Sequence, residues 1–226
     1  MRRTPIRLAA VLLAAGLAAA ACGSVKMGSA ALVGDQRIST TGLSGEVSNL
    51  NAGYQTYKRK IQLQYPVSQM PQQVLGWLVR FQVRDRMAQR EGISVSPTDV
   101  QQALAAITAS IKQNGGSGTL PEVAVANGLP PDMISELGNY QAIETKLLNH
   151  LDGGTLPTST SGQQALESTF NGVQCRAAKS LDIQINPQFG VLNYSTFAVV
   201  PLATSLSRSG SGPAPSPKPT QTNPPC

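Results

Sequence analysis

The chain has 226 residues, of which 41% are hydrophobic, 13% charged and 4% aromatic, with 21 Gly, 16 Pro, one His and a formal net charge of +6. Charged residues fall well below the usual quarter while Gly and Pro are abundant, a mixture of a folded core with segments that do not fold. So few aromatics leave Leu, Ile, Val and Ala to build the core, which excludes a large β-sandwich and favours a small helical domain. A single histidine argues against His-dependent metal sites and hydrolytic triads.

Arg2, Arg3 and Arg7 precede the uncharged run Leu8–Ala21, which is shorter than the roughly 20 residues that cross a bilayer. A basic start, a short apolar centre and small residues at its end make residues 1–21 an export signal. Cys22 follows Ala19-Ala20-Ala21 and precedes Gly23-Ser24. That order resembles the lipobox of bacterial lipoproteins, with Ala19 where the motif usually has Leu. The resemblance implies a diacylglycerol on the Cys22 thiol, a lipidated tether over 22–29, and a place on the outer, extracytoplasmic face of the cell membrane. The alternative is cleavage at an A-x-A site, which leaves Cys22 a plain thiol. Losing the signal takes the basic residues from 18 to 15 against 12 acidic, a net charge of +3, and this is no nucleic-acid footprint. Basic residues bunch as Lys58-Arg59-Lys60 and as Arg80, Arg84, Arg86 and Arg90; the first bunch reads as a solvated helix face, with contact to anionic lipid headgroups near the anchor as the alternative. With Cys22 given to lipid, Cys175 and Cys226 remain. Outside the cytoplasm they either pair, tying Cys226 back to the domain, or stand apart with Cys175 buried and Cys226 loose.

Along the exported chain, Ala30–Val33 reads as a strand, Gly34-Asp35-Gln36 as a tight turn and Ser39 as a helix N-cap, with Ile38 and Leu43 placed as a hydrophobic staple. Leu43, Val47, Leu50, Tyr54, Tyr57 and Ile61 then recur at helical spacing, a single apolar stripe. A second helix runs from Pro71 to Glu91, closed by Gly92. Its first turns are apolar nearly all round (Val74, Leu75, Trp77, Leu78, Val79, Phe81), which means central burial or binding; its last turns, with Arg84, Asp85 and Arg86, are polar. Ser96-Pro97-Thr98-Asp99 starts a third helix with cap, N1 proline and first-turn acid, striped by Val100, Leu104, Ile107 and Ile111 and ended by Asn114–Gly118. Leu120–Ala126 is a short fourth helix. A fifth begins at Pro130-Pro131-Asp132 and runs to Leu151. Residues 152–162 form a linker, and Gln163–Lys179 a sixth helix. Leu181, Ile183 and Ile185 alternate with polar residues as in a strand. Residues 208–226 carry six prolines and no bulky apolar side chain, and cannot offset their chain entropy by burial.

The run Ala30-Ala31-Leu32-Val33-Gly34-Asp35-Gln36-Arg37-Ile38-Ser39 resembles the "V-N-G-x-x-I-T" opening of the SurA-type N-terminal chaperone domain. The similarity continues through Val79, Val83, Met87, Gly92, Ile93, Val95, Ser96 and Val100, which fit that family's helix-glycine-helix signature. It extends to Gly128, Pro130–Asp132 and the Leu147-Leu148 pair, covering about residues 30–151. The turn Asn186–Gly190 also looks like a segment that follows this domain in exported lipoproteins of high-GC Gram-positive bacteria. The resemblance implies a mainly α fold: a SurA-N-like helical domain over 30–151, a C-terminal helix and strand over 163–207 completing it, and a disordered Pro-rich tail. Its N-terminal strand is expected to pair with a strand near Leu181–Ile185. Relatives such as PrsA and trigger factor often carry a parvulin prolyl-isomerase domain with paired histidines. Asp152–Leu206 is too short for one and has no histidine.

No catalytic pattern stands out. His150 closes the fifth helix, where a cation complements the dipole. Gly115-Gly116-Ser117-Gly118 lacks the lysine of a phosphate loop, no serine sits in a nucleophile elbow, and the cysteines are too scattered for zinc. The expectation is therefore a non-enzyme without cofactor or metal. It would bind unfolded or newly exported polypeptides as an ATP-independent chaperone, with Trp77, Phe81, Met87 and Met133 as the peptide-binding side chains the resemblance implies. Each of these four also has an ordinary core reading. The rival is a structural or adaptor lipoprotein holding one envelope partner.

Overall fold

A computed structural model describes residues 27–202. The expected export signal over 1–21, the expected lipid-bearing Cys22 and the Pro-rich tail with Cys226 lie outside the described residues. The first element is a hairpin. Strand β1 (Ser29–Val33) turns at Gly34, whose φ of +61° is the left-handed value the tight turn requires, into β2 (Gln36–Ser39). Strand β1 is the middle of a three-stranded antiparallel sheet of order β2-β1-β3. Its other neighbour is β3 (Gln184–Ile185), with Ala31 opposite Ile185 and Leu32 opposite Gln184. Asn186 fixes that pairing, its backbone N–H donating to Ala30 O and its side-chain amide to Ser29 O, both at 2.9 Å. The expected pairing of the N-terminal strand with the Leu181–Ile185 segment is therefore present, and Leu181, Ile183 and Ile185 all point inward.

Ser39 caps helix α1 (Thr40–Tyr57), its hydroxyl accepting from Gly42 N–H at 2.9 Å. The helix stops at Tyr57, so Ile61 packs on the core from the loop that follows. A single 3-10 turn (Val67–Gln69) leads into α2 (Met70–Arg90). Being apolar almost all round has one consequence here: α2 is the central post, in contact with α1, β1 and two later helices, α5 (Ile134–Leu151) and α6 (Thr160–Ser180). Gly92, at φ +65°, ends it. Helix α3 (Pro97–Gln113) opens with a reciprocal capping box between Ser96 and Asp99, and Lys146 on α5 adds an ion pair to Asp99 at 2.7 Å. Its stripe lies on α5 as an outer layer, where only Ala103 is fully buried. Helix α4 (Leu120–Ala126) has a second capping box, Thr119 with Glu122.

Three features depart from the expectations. The linker is shorter than 152–162, because Ser159 caps α6 and the helix starts at Thr160. A second hairpin, β4 (Val191–Asn193) with β5 (Ala198–Val200), follows the Asn186–Gly190 turn and packs on α2. The polar last turns of α2 contain a buried cation, Arg84, which is only 2% exposed.

The main core gathers β1, β3, α1, α2 and the second hairpin around Leu43, Leu50, Leu75, Val79, Met87 and Leu147. A smaller cluster of Phe81, Ala124, Leu129 and Met133 joins α2 to α4 and the start of α5.

Candidate functional site: two openings beside helix α6

Trp77, Phe81 and Arg84 follow one another at helical spacing on a single face of α2. Opposite them stands Tyr140 of α5. Trp77, Phe81 and Tyr140 form an aromatic triangle with centroid separations of 5.7, 6.4 and 5.8 Å, in the tilted and edge-on arrangements that ring quadrupoles favour. The Arg84 guanidinium donates to Tyr140 Oη and to Glu144 Oε2, each at 2.7 Å. It is also sandwiched between the rings of Tyr140 at 4.0 Å and Phe170 at 4.8 Å. Two charge-assisted bonds and two ring faces compensate its desolvation. The arrangement ties α2, α5 and α6 together through one side chain. Burial pushes the Tyr140 hydroxyl above its ordinary pKa, against the opposing pull of Arg84. Arg80, one turn earlier, lies over Trp77 at 4.8 Å and donates to Thr196 O at 3.2 Å. Its burial lowers the pKa of the guanidinium.

Two openings flank this network. One is a cavity of about 430 Å³ between α2, α6 and the β4–β5 loop, whose lining includes Arg80, Tyr140, Gln174, Cys175, Tyr194 and Phe197. The other is a groove of about 370 Å³ between α5 and α6, floored by Leu148, Leu156, Leu166 and Phe170 and edged by Glu144 and Glu167. Asn171 lines both, so they meet across one turn of α6. Leu156 is 46% exposed at the groove, one of few large apolar side chains left open among the described residues.

The four residues singled out from sequence divide. Phe81 and Met133 lie in the smaller cluster, and Trp77 packs against it half-buried while its Nε1 donates to Asn127 O at 3.1 Å. Met87 is 1% exposed in the main core, away from the other three. The exposed apolar side chain at the groove is instead Leu156, with Leu148 and Leu166 half-buried in its lining. Its signal in the sequence was the apolar pair Leu156-Pro157 inside an otherwise polar Gly/Thr/Ser stretch. His150 faces Glu91 at 3.6 Å from an exposed position. Cys175 is disulfide-bonded; Cys22 and Cys226 both lie outside the described residues. Among the described residues no group of three or more His, Cys, Asp or Glu could hold a metal ion, and no helix is long and apolar enough to cross a membrane.

The family model of the SurA-like N-terminal domain matches residues 2–130. The chain belongs to that family. The match runs through the first hairpin and α1 to α4 and stops before α5, although α5 and α6 pack on the same central helix. Membership brings a chaperone-type or prolyl-isomerase-associated role, in a family whose domains bind polypeptides. No curated protein and no solved structure matches the chain.

Proposed function

We propose that this SurA-like protein is an exported lipoprotein, anchored through Cys22 at the outer face of the cell membrane, that holds unfolded or newly exported polypeptides without ATP, metal or catalysis. Membership of the SurA-like family carries the reading. The groove between α5 and α6 supports it. An apolar floor of Leu148, Leu156, Leu166 and Phe170, open at Leu156, suits the short apolar runs of an unfolded chain. Glu144 and Glu167 at its edge favour runs flanked by Lys or Arg.

The test is suppression of aggregation by the mature chain on two unrelated unfolding proteins, beside Leu156→Glu. Leu156 is exposed, so its replacement leaves the core intact. The expected result is suppression of both clients, weakened in the variant. No suppression at several-fold molar excess overturns the holding role, and one tight envelope partner in a pull-down would then favour an adaptor. Labelled palmitate incorporated by the native chain and lost in Cys22→Ser tests the anchor separately.

A further inference from the structure

Arg80 stands apart from the other withdrawn arginines of α2. Arg84 and Arg86, like it, lie away from full exposure, and each holds a carboxylate, Glu144 and Asp35. Arg80 is half-buried, gives one donor to the Thr196 carbonyl at 3.2 Å and meets no carboxylate among the described residues. Among those residues it is also the single charged side chain lining the cavity of about 430 Å³. A second cation stands at the rim. Arg176 reaches back along α6 until its Nη1 is 3.4 Å from where a Cβ of Gly172 would be, and it too has no carboxylate partner among the described residues. We propose that this cavity takes the C-terminal residue of a polypeptide, its free carboxylate on Arg80 and its apolar side chain against Tyr140, Tyr194 and Phe197. The inference rests on the polypeptide-holding role proposed above and says which end of the held chain goes where.

A guanidinium withdrawn from water without a counter-charge is costly, and a carboxylate, whose two oxygens match its fork, relieves it. Nothing else in the lining repels an anion. Glu144, one turn along α5 from Tyr140, is bonded to Arg84 and edges the groove instead. The side-chain amides of Asn171 and Gln174 add N–H donors. A bare inorganic anion would leave the three rings uncovered, so the fitting ligand carries its carboxylate on an apolar body. The second opening selects a chain end. Tyr140 lines the cavity and Glu144 the groove, about 5.4 Å apart along α5, and Asn171 borders both. Extended chain advances about 3.3 Å per residue. With the last residue in the cavity, the second or third before it lies on Leu148, Leu156 and Leu166, and basic residues further back reach Glu144 and Glu167. A positive cavity beside a negative groove edge thus reads the polarity of the bound chain.

The probe is a Lys-Leu-Ala-Ser-Leu pentapeptide with a dye on its amino terminus, titrated with the full mature chain and read by fluorescence anisotropy. The free acid is expected to bind at least about tenfold more tightly than the C-terminal amide, which lacks the charge that Arg80 pairs. Arg80→Gln, and Arg176→Glu at its exposed position, should each shrink that ratio towards one. Equal affinity of acid and amide for the native chain, or no binding of either, overturns the inference without any variant. So does a ratio that survives both substitutions. N-acetyl-leucine that competes as well as the unlabelled pentapeptide marks a site for a small carboxylate and overturns the chain-end reading. The two readings fail separately. Suppressed aggregation with no difference between acid and amide leaves the holding role standing and refutes only this site, whereas acid-selective binding without suppression does the reverse.

Discussion

Arg84 and Glu144 form an unequal pair, and the inequality predicts which partner matters more. Their side chains are 2% and 28% exposed, at an N···O distance of 2.7 Å. Removing Glu144 as Glu144→Ala strands a cation that water cannot reach, and breaking a buried pair in that way costs about 3–5 kcal/mol. Removing the cation as Arg84→Met leaves a carboxylate that already touches solvent and can turn towards it. Met also refills much of the stem volume between Tyr140 and Phe170, so the cost falls to about 1–2 kcal/mol, mainly the lost bond to the Tyr140 hydroxyl. The double variant Arg84→Met, Glu144→Leu removes both charges and is expected near the native stability. Urea unfolding followed by helical circular dichroism reads all three. With a slope of about 2 kcal/mol per molar, Glu144→Ala should lower the midpoint by roughly 1.5–2.5 M and Arg84→Met by at most about 1 M. If Arg84→Met falls as far as Glu144→Ala, the claim that desolvation of the cation dominates this site is refuted.

Two further outcomes follow from the same fold. Hydrogen bonds from Lys146 and Ser96 hold the Asp99 carboxyl down at about 2, whereas an unfolded Asp titrates near about 3.9. Because the folded value is the lower one, the α3 capping box contributes stability above about pH 4 and loses it as pH falls towards 2. Thermal unfolding should show this acid-side decline, and Asp99→Asn should flatten it; an unchanged slope in the variant would place the titration elsewhere. Gly76 and Gly190 should part company on replacement by Ala. A Cβ on Gly76 meets the backbone N of Val199 and O of Phe197 at ordinary contact distances of 3.6 and 3.7 Å, so helix propensity stabilises that variant by up to about 1 kcal/mol. At Gly190, with φ +126°, a Cβ collides with the Val200 carbonyl, and unfolding midpoints should drop sharply there.

Much of this architecture is legible in the sequence because the local signals agree with the packing. Ser39 and Ser96 cap the helices they were expected to cap, the all-round apolar turns of α2 made it the central post, and the Leu181–Ile185 alternation became the β3 edge. The misses share a cause. Nothing local distinguishes Arg84 from Arg80, Arg86 and Arg90; its burial depends on Tyr140 and Glu144, about sixty residues away. Its place on the Trp77–Phe81 face was the available clue. The β4–β5 hairpin is short and turns on the Asn193 side chain, which accepts from the Ser195 and Thr196 amides, and it has too few alternating residues to register as strands. The groove needed α5 and α6 to be brought side by side before Leu156 and Leu166 could share a floor.

The pairing of β1 with β3 also governs when this molecule can finish folding. Asn186 bonds to Ser29 across 157 residues of sequence, and β1 lies in the middle of its sheet. A chain delivered from its N-terminus presents β1 first and the strand that covers its open edge almost last. The β1–β2 hairpin and the helices can form early from contacts near in sequence, but the sheet must wait while the edge of β1 that faces β3, the Ala30 carbonyl included, stays unpaired. During that interval the nascent protein exposes the kind of edge that invites unwanted strand pairing. Closure by Gln184 and Ile185 is thus a late and slow event, set by loop entropy more than by any single contact.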